Sequence, residues 1–171
     1  MFKITTLAAL PAVVSVATAV AAAPLRHTIS VEATAPNPVF YVVSEGGWTG
    51  QVQRLVWRPD LNQLEPLRGR WLEMLSTFGA IQVRAAADTM LQTRDGEKIA
   101  LTVRLISPER RCEVFRHAGG ADSGDCELLP AVQATAAQRV ALEVWPAMPG
   151  AGGYRPGLYQ GVVSLTFESR L

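Results

Sequence analysis

The feature that most constrains this chain is a two-residue apolar rhythm that keeps restarting. Ile99, Leu101, Val103 and Leu105 alternate with polar Lys98, Thr102 and Arg104, and that period gives a pleated strand one apolar face. Near the C-terminus Tyr159, Gly161, Val163, Leu165 and Phe167 alternate with Gln160, Val162, Ser164, Thr166 and Glu168 across a run from Leu158 to Ser169. A glycine inside such a run marks a bend or a close backbone approach. Alternating or β-rich runs also cover 39–43, 51–57, 80–86, 112–115 and 139–145. Turn chemistry separates them, at Asp95-Gly96 and through the glycine-rich stretch 148–153. About seven short strands at this spacing predict an all-β, immunoglobulin-like sandwich. A barrel has the same rhythm, so periodicity alone leaves that alternative open. Residues 65–75 read either as strand or as a short helical turn.

The N-terminus follows another rule. After Lys3 the chain is apolar and small through Ala23, without further charge, and leaves through Ala-Val-Ala-Ala-Ala. These are the marks of a secretory signal. The predicted signal is 1–22, because cutting after Ala23 would place Pro24 next to the scissile bond. A membrane anchor has similar length, but the low leucine content and alanine exit argue against it. Removing 22 of 171 residues leaves 149, and removing Lys3 leaves 15 basic against 15 acidic groups. All of those basic groups except Lys98 are arginines. A neutral chain without a basic block lacks the electrostatic footprint of nucleic-acid binding. Two His and two Cys are too few for a separate metal centre beside a disulfide, and no cofactor is called for. Export places Cys112 and Cys126 in an oxidising compartment, where an even pair reads as a disulfide.

Between signal and domain lies His27-Thr-Ile-Ser-Val-Glu-Ala-Thr-Ala35, with Ile29, Val31, Ala33 and Ala35 on one face. Pro36 and Pro38 each remove a backbone donor and restrict the residue before them. The strand therefore cannot run on into Val39. The organisation predicted is a signal at 1–22, a strand with its proline hinge at 23–38, and a sandwich domain at 39–171.

No nucleophile elbow, phosphate-cradling loop or His-Glu-x-x-His motif is present, so the chain reads as a non-enzyme. His27 and His117 have no orienting carboxylate beside them in sequence. Asp122, Ser123 and Asp125 read as a solvated turn, short of the ligands a calcium ion needs. Trp48, Trp57, Trp71 and Trp145 suit either the core or sugar stacking.

Three stretches carry a resemblance: His27 to Ala35, Arg54-Leu-Val-Trp-Arg-Pro59, and Gly157-Leu-Tyr-Gln-Gly-Val-Val-Ser-Leu-Thr-Phe167. With Ile81-Gln-Val-Arg-Ala85 and Ile99-Ala-Leu-Thr-Val103 between them in order, the chain resembles the major pilin subunits of the alternate chaperone-usher pathway, the coli surface antigen one-type family. The Cys112–Cys126 pair departs from the family's pattern. The resemblance implies an incomplete immunoglobulin-like sandwich whose missing strand is supplied by the N-terminal donor strand of another subunit, through Ile29, Val31, Ala33 and Ala35. Tyr159, Val163, Leu165 and Phe167 are then expected in the groove or its supporting core. It also implies other pilin subunits, a periplasmic chaperone and an outer-membrane usher as partners, and a fimbrium at the cell surface, supporting adhesion, as destination. The rival reading is a monomeric exported sandwich that binds a ligand such as a sugar through its tryptophans.

Overall fold

The computed structural model describes residues 38–171. Thirteen strands occur in this span: β1 Phe40–Ser44, β2 Trp57–Arg58, β3 Gln63–Leu64, β4 Leu67–Ser76, β5 Ala80–Ala85, β6 Met90–Gln92, β7 Lys98–Ile106, β8 Arg111–Val114, β9 Arg116–His117, β10 Ala121–Asp122, β11 Cys126–Leu129, β12 Gln138–Pro146 and β13 Leu165–Arg170. Helix is confined to a 3-10 segment at Glu45–Gly50 and one turn, α1, at Ala131–Ala134.

The strands form an antiparallel sandwich and no closed barrel. One layer runs β1-β4-β12-β7-β6, and β8 shares the outer edge of β7 with β6. The other is only β11-β5-β13. Alternation on β7 buries Ile99, Leu101, Val103 and Leu105, and on β12 Val140, Leu142 and Val144. All of these but Ile99 share one core cluster with Ile81 and Val83 of β5 and Leu128 and Leu129 of β11. Cys112 on β8 is bonded to Cys126 on β11, with 5.9 Å between their Cα atoms, so the disulfide stitches one layer to the other.

The ambiguous stretch at 65–75 resolves as strand. The helical alternative fails because Leu72, Met74 and Ser76 turn inward at a strict spacing of two. Gly69 obscures the pattern upstream. Its φ of +72° sits where the β4–β12 register slips, with Leu67 opposite Val144 but Arg70 opposite Leu142. The extra residue is a β-bulge, and it restores Leu67 to the inner side. The run at 51–57 is the other departure, since only Trp57–Arg58 joins a ladder, with β3. The C-terminal run is also shorter than its alternation: the strand starts at Leu165, and upstream only Gln160 forms a bridge, to Gln92.

Candidate functional site

The three-strand layer is too narrow for the sheet it covers. Beside β13 an apolar groove of roughly 560 Å³ opens between the layers. Its floor is the inner face of the larger sheet: Leu67 and Leu72 of β4, Leu101 of β7, Leu142 and Val144 of β12. One wall is Val163, Leu165 and Phe167. The facing rim is the segment Trp48 to Leu55.

Local hydrogen bonds hold that rim in place. The Trp48 indole donates to Trp71 O at 3.0 Å, Arg70 Nε donates to Gln53 Oε1 at 2.7 Å, and Gln53 Nε2 donates to Trp48 O at 3.0 Å. The segment is thus pinned to β4 by side chains, yet Val52 to Leu55 enter no ladder among the described residues. Across the groove β13 bonds β5 on one side and has no ladder partner on the other, again among the described residues. Two main-chain edges flank a gap in the smaller layer.

Glycine explains how the chain reaches this wall. Gln160 bridges to Gln92 on the larger sheet, and Ser164 O then accepts from Ala86 N next to β5. The chain changes layers between them. A Cβ on Gly161 would lie 2.1 Å from Met90 O, a backbone atom with no room to yield, so the close approach demands glycine.

Electrostatics keep the solvent side of β13 tied down. Hydrogen bonds from Arg170 first and Arg84 second hold the Glu168 carboxyl below the usual carboxylate range; the contacts are 3.1 and 3.2 Å. The groove itself has an almost wholly aliphatic floor, which can take up an apolar strand and offers no group for bond chemistry.

Of the residues singled out from sequence, Val163, Leu165 and Phe167 lie along the groove. Tyr159 is set apart, its hydroxyl donating to Arg155 O at 2.9 Å. Ile29, Val31, Ala33 and Ala35 lie outside the described residues, as does His27. Trp71 and Trp145 sit on the outer face of the large sheet with guanidinium groups over their rings: Arg139 at 4.0 Å from Trp71, Arg104 and Arg68 at 4.1 and 4.7 Å from Trp145. Trp48 packs against the core and Trp57 meets Tyr154 edge-on. His117 stacks on Phe115. Asp122 and Asp125 face Arg116, Arg84 and Arg170.

The floor residues went unassigned from sequence. Leu101, Leu142 and Val144 announce themselves as core by alternation, but nothing local says that the layer above them stops short. A protein-family model described as CS1 type fimbrial major subunit matches residues 25–168. No curated protein matches the chain.

Proposed function

The chain belongs to the CS1 type fimbrial major subunits, structural components of cell-surface fimbriae, and on that premise we propose that it polymerises by donor-strand exchange. In this reading residues 27–35 of one subunit lie in the groove of the next, with Ile29, Val31, Ala33 and Ala35 turned toward the floor. The observation that carries it is the pair of unladdered edges, β13 and Val52 to Leu55, on either side of an open apolar groove.

The energetics suit such an exchange. Buried fully, Ile29 and Val31 contribute roughly 1.5–3 kcal/mol each, and each ladder bond formed adds about 1 kcal/mol. Nine extended residues span about 30 Å. Backbone bonds supply the hold, and the alternate side chains choose the register. In this reading the incoming strand continues the antiparallel pairing of every ladder among the described residues and runs antiparallel to β13, with Ile29 toward Phe167 and Ala35 toward Gly161.

An empty groove leaves apolar side chains and strand edges uncovered, an aggregation hazard. That is the physical case for a periplasmic chaperone that occupies the groove before assembly and an outer-membrane usher that hands subunits on, after removal of a signal at 1–22. The resulting fibre supports adhesion.

Deleting Pro24 to Ala35 tests the mechanism. The truncated subunit should still reach its chaperone yet form no polymer, as read by electron microscopy and by denaturant-resistant ladders on gels. Normal fibres from that truncation would refute donor-strand exchange.

A further inference from the structure

The two ends of the domain carry separate exposed apolar groups. At one end the β4–β5 turn presents Phe78, 43% exposed, beside Val39 at 42% and Phe40 at 38%. Thr77 N donates to Val39 O at 2.9 Å, which holds these residues together. At the opposite end, where the chain changes layers, Leu158 and Val162 stand 77% and 76% exposed. Clustered exposed apolar side chains mark contact surfaces.

We propose that these two ends are the halves of one interface: the Val39, Phe40 and Phe78 end of each subunit seats on the Leu158 and Val162 end of the subunit that receives its strand. The inference rests on the donor-strand reading and adds to it a domain-to-domain contact that starts at the groove's end, where Val162 is part of the lining, and extends to Leu158 beyond it. Its occupant is fixed by chain length. Only Pro36, Asn37 and Pro38 separate Ala35 from Val39, and four residue steps reach at most about 14 Å. With the strand antiparallel to β13, Ala35 leaves the groove beside Gly161 and Val162. The donor's own Val39 must therefore lie within that short reach of the acceptor's Val162.

The two prolines make the link stiff as well as short, since each fixes its own φ and restricts the residue before it. A stiff tether presents the same end of the domain to its neighbour at every junction. Apolar surface on both sides then gains by leaving water.

Cysteine pairing tests this on the full-length protein assembled into fibres. A subunit carrying both Phe78→Cys and Leu158→Cys should, after mild oxidation, give a covalent ladder that survives boiling in detergent without reductant. Either single change, or Phe78→Cys with Thr102→Cys on the outer sheet face, should give none. Fibres that form normally but yield no ladder from the first pair, or an equal ladder from the Thr102 control, would overturn the interface. A peptide of residues 24–35 offered to the subunit truncated by that same segment separates this outcome from failure of the underlying reading. If the peptide leaves the melting temperature of the truncated subunit unmoved, donor-strand exchange itself falls. If it raises the melting temperature while the ladder is absent, only the end-to-end contact falls.

Discussion

β7 and β13 have nearly the same alternation and different fates. On β7, Val103 and Leu105 are fully buried and Ile99 and Leu101 nearly so, while on β13 Leu165 and Phe167 face inward yet remain half-buried. The difference lies in their neighbours. β7 has β12 along one edge and β6 and β8 along the other, whereas among the described residues β13 has β5 alone. Alternation tells a strand which way to face and says nothing of whether a neighbour stands beside it. The flank of β13 that has no ladder partner among the described residues borders the apolar groove.

The sharpest way to break the comparison is truncation on each strand. Leu105→Ala removes a fully buried side chain packed on all sides, and should cost about 2–5 kcal/mol by denaturant unfolding of the truncated subunit. Phe167→Ala in the same background should cost about 1 kcal/mol, despite the larger side chain, because one side of the ring already faces an open groove. With peptide 24–35 bound, the Phe167 value should climb toward the 3–5 kcal/mol typical of a buried phenylalanine, while Leu105→Ala stays where it was. Equal costs for Phe167→Ala with and without peptide would mean that the groove is not what leaves β13 half-buried.

The disulfide sharpens the comparison from the other edge of the small layer. Cys112 on β8 holds β11 to the large sheet; β11, like β13, pairs only with β5 among the described residues, but its edge has a covalent tie and the β13 edge has none. Replacing both cysteines by alanine should cost about 3 kcal/mol, the value for a loop of about 15 residues in the chain-entropy model. Unfolding with and without reductant measures it. Peptide capture at the far edge should keep its affinity once this loss is allowed for. A peptide affinity that collapses with the disulfide would show that the two edges are mechanically coupled.

Much of this was legible in residues alone, and the exceptions have physical causes. β7 matches its alternation end to end and β5 and β12 do so within a residue, because both faces of those strands are settled by local spacing. β4 was obscured by one bulge at Gly69, which puts Leu67 and Leu72 on the same side at an odd separation. Residues 51–57 have the composition of a strand and mostly lack a strand's partner among the described residues, a fact no periodicity contains. The groove wall at Val163, Leu165 and Phe167 follows from one segment. Its floor is assembled from β4, β12 and β7, neighbours in the large sheet that lie far apart in sequence, so no single segment announces it.

The smallest effect is electrostatic, and it too separates the two strands. β7 has no carboxylate, whereas Glu168 of β13 is held below the usual carboxylate range by Arg170 and Arg84. Away from β13, Glu45 is lowered by Arg139 and Asp60 by Arg58. A carboxyl with a depressed folded value adds stability above its unfolded value, and that stability is lost as pH falls through the folded one. The melting temperature should therefore hold level down to about pH 5 and decline below about pH 4. Added salt should flatten the decline, since these pairs are exposed and screened. Glu168→Gln should remove part of the acid slope and leave the neutral melting temperature within a degree or two. Because the carboxylate grips the solvent side of β13 and not the groove, this change should leave peptide capture at neutral pH intact. A loss of capture in Glu168→Gln would mean that the arginine clamp, as well as the apolar wall, sets the edge on which the incoming strand is laid.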